Sequence, residues 1–173
     1  MYLTIIKVLR YINLTFERIV FTTSITIVAL IVIALTLSAV TRYVSGNGYD
    51  WFIELPPVLI CWLVFPLLGP LLHKGQHIQV DFLTSILTKK SILLVKLTNN
   101  LVVLIGSALF FRAGIDATVL YYNMGQILEI QLEVPIWWMY LAFPTGFFVL
   151  TTFATELVLN DLSRLISFKS EIK

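Results

Sequence analysis

The stretch IVFTTSITIVALIVIALTLSAV, Ile19–Val40, decides the fold class of this chain. It runs from residue 19 to residue 40 without a charged side chain. As an α-helix it would extend about 33 Å, which is enough to cross a hydrocarbon core about 30 Å thick. The stretch therefore predicts a membrane-spanning helix.

Three more apolar stretches follow, and each is long enough to cross a membrane. They lie at about residues 55–72, 92–115 and 134–155. Pro66, Gly69 and Pro70 interrupt the second stretch, and a proline inside a helix removes a backbone donor and clashes with the preceding turn. We therefore expect a kinked or partly unwound second helix, and a fourth helix that opens at Pro135 and bends near Pro144.

The composition agrees with a protein that lies largely in the membrane. Hydrophobic residues make up 58% of the sequence and charged residues only 13%, whereas soluble domains average about 25% charged residues. A length of 173 residues fits one all-α membrane domain over residues 1–173. The net charge of +2 gives no basis to expect nucleic-acid binding, and the single cysteine, Cys61, excludes an internal disulfide or a thiol relay.

Lysine and arginine are distributed unevenly between the two sides of the predicted spans. Ten of the twelve lie before the first span, between the second and third spans, at the start of the third span (Lys96), or in the C-terminal tail. The other two, Arg42 and Arg112, lie on the opposite side. Because basic residues accumulate on the cytoplasmic side of membrane proteins, both termini are predicted to be cytoplasmic.

Two amphipathic segments, at about residues 2–17 and 78–90, adjoin the spans on the predicted cytoplasmic side. Such helices can lie in the headgroup plane with their basic ends on anionic phospholipids. The alternative is that they extend the spans into the cytoplasm. For residues 78–90 we favour the interfacial helix, because Gln79 and Asp81 follow an interrupted span.

Few polar side chains are expected within the membrane. Arg112 and Asp116 lie one helical turn apart at the predicted outer end of the third span, where they can pair with each other or serve a function. Asn99 and Asn100, near the inner end, are expected to hydrogen-bond a neighbouring helix. No ionisable side chain is predicted at the midplane, where a carrier that works alone usually has one.

The sequence shows no pattern typical of an enzyme or a cofactor site. His73 and His77 have a spacing that can present two imidazoles to a metal. No third ligand accompanies them, so we interpret them as polar residues at the membrane boundary. There is no nucleophile with a nearby base and no glycine-rich phosphate loop. We therefore expect no catalysis, no bound cofactor and no metal in this chain.

Four sequence features, taken in order, resemble a known family. They are Arg42-Tyr43, then Trp51 with Glu54, then HKGQHIQVDFL (73–83) with His77 and Asp81, and finally VPIWWMYLAFPTGF (134–147) with Pro135, Trp137, Tyr140, Pro144 and Gly146. Over about residues 40–150 the chain is similar to the DctQ-type small membrane subunit of TRAP (tripartite ATP-independent periplasmic) transporters. It departs from the family pattern at Ile53, where an acidic residue is frequent, and in its many second-span prolines.

The resemblance implies a non-enzymatic transport subunit in the cytoplasmic (inner) membrane of a bacterium or archaeon. Such subunits pair with a large M-type membrane subunit that holds the sodium and substrate sites, and a periplasmic binding protein delivers an organic acid anion. The small subunit would scaffold the large one. Two alternatives remain open: a haem- or quinone-linked membrane anchor of a redox enzyme, and a small independent channel or carrier.

The predicted periplasmic side also offers acidic candidates for docking the binding protein. They are Asp50, Glu54, Glu129 and Glu133. The alternative is that they are only the counterpart of the basic cytoplasmic side, since acidic residues contribute little to orientation.

Overall fold

A computed structural model describes residues 2–46, 51–75, 89–128 and 133–171. Within these ranges the chain forms four helices, which are α1 (Tyr2–Ser45), α2 (Trp51–His73), α3 (Lys89–Met124) and α4 (Ile136–Glu171). Each helix contains a stretch that is long and apolar enough to cross a membrane. The prediction of an all-α protein with four membrane-spanning helices is confirmed, and the orientation of the termini stays a prediction.

The first helix is much longer than the predicted first span. Residues 2–17, for which the sequence allowed either an interfacial helix or an extension of the span, continue into the span without a break. One buried stripe runs along both parts of the helix and consists of Asn13, Val20, Ser24, Ile27, Ala34 and Ser38. In the structure this segment is therefore the first part of α1 and extends the predicted first span. The second predicted interfacial segment, 78–90, lies almost entirely outside the described residues.

The second helix keeps helical backbone despite its four prolines. It contains Pro56, Pro57, Pro66 and Pro70, yet it runs unbroken from Trp51 to His73, so the expected partial unwinding is not seen. Gly69 and Pro70 are buried, and a Cβ at Gly69 would lie 2.7 Å from Cδ2 of Phe153 in α4. Backbone carbonyls freed by a proline need cover from protein in a membrane, and α4 packs directly against this part of α2.

The last helix is the centre of the bundle. α4 packs along both α3 and α2, and α2 packs along α1. Half of the most apolar stretch of α4 is buried, compared with 17% for α1 and 6% for α3. In the described part of the chain, α3 packs closely on α4 alone, so most of its surface is exposed.

Candidate functional site

A buried polar contact joins α1 to α4 at the end of the bundle predicted to face the cytoplasm, here called the inner end. Asn13 and Glu156 are each only 1% exposed. The side-chain Nδ2 of Asn13 donates to Glu156 Oε2 at 2.6 Å and to the Thr152 carbonyl oxygen at 3.3 Å. A buried carboxyl group without a donor is costly, so this contact fixes α1 against α4.

A second polar contact joins α3 to α4 at the same end. Asp161 is 5% exposed, and its Oδ2 accepts a hydrogen bond of 2.7 Å from Nδ2 of Asn100. The neighbouring Asn99, which the sequence placed in the same role, is exposed. The three longest helices are thus connected by two asparagine–acid contacts, both on α4.

An ion pair joins α1 to the end of α2. Lys74 Nζ lies 3.1 Å from Glu17 Oε1 and 4.0 Å from the centre of the Phe21 ring. Nδ1 of His73 lies 4.0 Å from Glu17 Oε2, and the His73 ring lies 5.6 Å from the Phe153 ring. The Lys74 side chain is 42% exposed, so the pair lies at the edge of the protein and contributes little to stability.

Two residues of the last-span motif lie where helices approach most closely. A Cβ at Gly146 would overlap the backbone of Phe65 in α2. A Cβ at Gly114 of α3 would lie 3.1 Å from Cδ of Pro144 and 2.9 Å from Cδ1 of Phe143. Small residues allow such close approach between membrane helices. Gly146 and Pro144 are therefore positions of helix packing.

Aromatic side chains cluster at the opposite, outer end. The Tyr121 and Tyr140 rings stack at 4.1 Å, with their hydroxyl oxygens 3.1 Å apart, and the Tyr122 and Trp137 rings lie 5.5 Å apart. Aromatic residues of this kind are typical of membrane–water interfaces, so the cluster marks the outer boundary. The α3–α4 connection closes beside it with an isolated β-bridge between Ile127 and Pro135.

If the aromatic cluster lies at the outer boundary, Arg112 is deeper in the membrane than its position near the end of the predicted third span indicated. The helix continues to Met124, and Tyr121 rather than Arg112 lies at the outer boundary. Arg112 is nine residues from Tyr121 and twelve from Asn100, or about 14 Å and 18 Å along the helix. Both Arg112 and Asp116 are exposed, and they form no ion pair with each other in the described structure.

The remaining candidates are dispersed or lie outside the described residues. Arg42 is exposed in the last turn of α1, Glu54 is half-buried in the first turn of α2, and Glu133 is exposed. Asp50, His77, Asp81 and Glu129 lie outside the described residues, as does the side chain of Trp51. The docking face and the His77–Asp81 motif therefore stay predictions.

The sequence reasoning did not identify Asn13, Glu156 or Asp161. Helical periodicity could have identified the two acids, because they continue the buried face of α4 at helical spacing from Phe153. Among the described residues, no group of three or more histidine, cysteine, aspartate or glutamate side chains is placed to hold a metal ion. The buried side chains of Asn13, Glu156 and Asp161 connect one helix to another.

These features define a helical, multi-pass membrane protein. Residues 31–164 match the family model described as "Tripartite ATP-independent periplasmic transporters, DctQ component". The chain therefore belongs to the DctQ family, the small membrane subunits of TRAP transporters. It is a transporter component of the bacterial inner membrane and not an enzyme. A search of curated proteins finds no match.

Proposed function

We propose that this chain scaffolds the large M-type subunit of a sodium-coupled TRAP transporter. The observation that carries the proposal is the uneven burial of the four helices. Half of the apolar stretch of α4 is buried, whereas only 6% of the stretch of α3 and 17% of the stretch of α1 are buried. The chain thus offers two long apolar helices to its surroundings and uses α4 to hold them.

The distribution of polar groups also supports a scaffold. The buried acids Glu156 and Asp161 lie at the inner end, and each is held by an asparagine of another helix. Carriers that work alone usually bind substrate and ion near the midplane inside the protein, at ionisable side chains or unwound helices. The ionisable side chain at mid-depth here, Arg112, is exposed on the surface of α3 rather than enclosed by the bundle. We infer that sodium and the organic acid anion bind in the large subunit, and that this chain keeps that subunit in place.

Uptake by reconstituted protein tests the scaffold role. The large subunit and its periplasmic binding protein would be placed in proteoliposomes with and without this chain, under an imposed sodium gradient. Accumulation of the radiolabelled anion is expected only when all three proteins are present, and this chain alone should transport nothing. Equal uptake without this chain would contradict the proposal.

The acidic residues of the outer end are proposed to attract the binding protein. Glu133 is exposed there, and Glu54 lies in the first turn of α2. Complementary charge acts mainly on the rate of association and is weakened by salt.

Neutralising Glu54, Glu129 and Glu133 to glutamine should lower uptake when binding protein is limiting, and excess binding protein should restore it. Wild-type uptake should also fall as salt rises at fixed sodium, while the triple variant should lose most of that dependence. Equal salt dependence in the two proteins would leave docking to the large subunit alone.

A further inference from the structure

Arg112 is the one cationic side chain between Asn100 and Tyr121 on α3, and it is exposed in the structure. The residues around it on the same face are strongly exposed and apolar. Leu109 is 66% exposed, Val102 62%, Ile105 54% and Val119 51%. The face therefore consists of a broad apolar surface with the guanidinium of Arg112 near its centre and the exposed carboxylate of Asp116 one turn outward.

This arrangement is unfavourable if the face contacts lipid. A charged side chain near the bilayer centre is costly, and arginines in membrane helices usually pair with another group or reach the interface. The nearer boundary, marked by Tyr121, lies about 14 Å away along the helix, which exceeds the reach of an arginine side chain. Asp116, one turn outward, does not pair with Arg112 in the described structure.

We propose that this face of α3 binds a transmembrane helix of the large membrane subunit that presents a carboxylate at the depth of Arg112. The proposal rests on the proposed function for the identity of the partner. A carboxylate is the matching group because the guanidinium is planar and always charged and binds carboxylates through two parallel hydrogen bonds. The surrounding apolar residues would pack against the same helix.

Charge complementarity, rather than the apolar area, is what favours a protein partner over lipid. Lipid tails are as apolar as leucine, so an apolar helix face gives no hydrophobic preference for a neighbouring protein. A guanidinium at mid-depth does favour a protein partner, because pairing with a carboxylate leaves no unpaired charge in the hydrocarbon.

Co-purification tests the proposal directly. The chain would be co-expressed with an affinity-tagged large subunit, and the recovered complex normalised to the amount of this chain in the membrane. Arg112→Leu and Arg112→Glu should each reduce recovery by at least about tenfold, since truncating one partner of a buried charge pair leaves the other unpaired. Arg112→Lys should retain more complex than Arg112→Leu. Arg164→Leu, which removes an exposed arginine from the inner end of α4, serves as the matched control and should leave recovery unchanged.

Expression of the chain alone separates assembly from folding. Without the large subunit Arg112 faces lipid, so Arg112→Leu should insert as well as the wild type or better. A photo-crosslinker at position 109 should then identify the partner helix. Replacing its acid by arginine should restore complex formation to Arg112→Glu.

Three results would overturn the proposal. Recovery of the Arg112→Leu complex equal to that of Arg164→Leu would show that Arg112 faces lipid within the complex. Loss of a homo-oligomer of this chain in Arg112→Leu, with the large-subunit complex unaffected, would show that the partner is a second copy. Failure of the wild-type chain to co-purify with the large subunit would refute the proposed function and, with it, this partner. The first two results leave the proposed function intact.

Discussion

The contact between Asn13 and Glu156 predicts a measurable loss of stability when the asparagine is removed. Asn13→Ala deletes a donor 2.6 Å from a carboxyl oxygen of a residue that is 1% exposed. Leaving a buried polar group without its partner costs about 1–3 kcal/mol in soluble proteins, whereas contacts between membrane helices average about 0.6 and reach about 1.7 kcal/mol. Asn13 Oδ1 is itself buried and unpartnered, so alanine also removes one unfavourable group. We expect a net loss of about 1–2 kcal/mol.

The loss would be measured by reversible unfolding in mixed micelles of rising SDS content, followed by tryptophan fluorescence. Asn99→Ala is the matched control, because Asn99 is exposed and its replacement should stay within about 0.5 kcal/mol. Glu156→Leu would complete a double-mutant cycle. The cost of Asn13→Ala arises at Glu156, so it should largely disappear when Glu156 is also replaced. The double variant should therefore lose about 1 kcal/mol less unfolding free energy than the two single variants lose together. Additive effects, or equal effects of Asn13→Ala and Asn99→Ala, would refute the reasoning.

Three more outcomes are expected. Gly146→Ala should destabilise the bundle by about 1–3 kcal/mol in the same assay, because its Cβ would overlap the Phe65 backbone. Gly106→Ala should not, because nothing lies within 4 Å of the added Cβ, and equal effects of the two changes would contradict the packing argument. Glu17→Gln should lower the free energy of unfolding by less than about 1 kcal/mol, because the ion pair of Glu17 with Lys74 is partly exposed. The difference from the wild type should vanish at high salt, and a larger loss unchanged by salt would show that the pair is not screened. Single cysteines placed at 74–90 in a Cys61→Ser chain should react with an impermeant reagent only after permeabilisation, and labelling from outside would overturn the predicted orientation.

The number of helices could be predicted from sequence because the hydrocarbon core imposes a length on each apolar run. The ends of the helices could not, since a helix can continue into the headgroup region or water after its apolar run ends. α3 extends nine residues past the predicted boundary at Ile115, and α4 continues to Glu171. That extension changed the depth assigned to Arg112, which the sequence placed near the outer interface.

The polar contacts were less predictable because each depends on which helices are neighbours. Asn13 and Glu156 are 143 positions apart in the chain, and nothing in either local sequence specifies the other. Asn99 and Asn100 are adjacent residues of the same type, but only Asn100 lies on the side of α3 that meets α4. By contrast, the role of Gly146 follows from its place in the last span, where a glycine commonly allows a second helix to approach.

The internal contacts also explain why Arg112 matters for recognition. The bundle is held by asparagine–acid contacts at its inner end, by close packing at Gly146 and Gly114 in its middle, and by stacked aromatic rings at its outer end. None of these contacts uses the exposed face of α3. A scaffold must select one partner from a membrane full of apolar helices, and apolar surface alone does not distinguish protein from lipid. Selection therefore requires a charged or polar group that lipid tails cannot pair with. On this face that group is the guanidinium of Arg112, which lies at a depth where lipid offers it no partner.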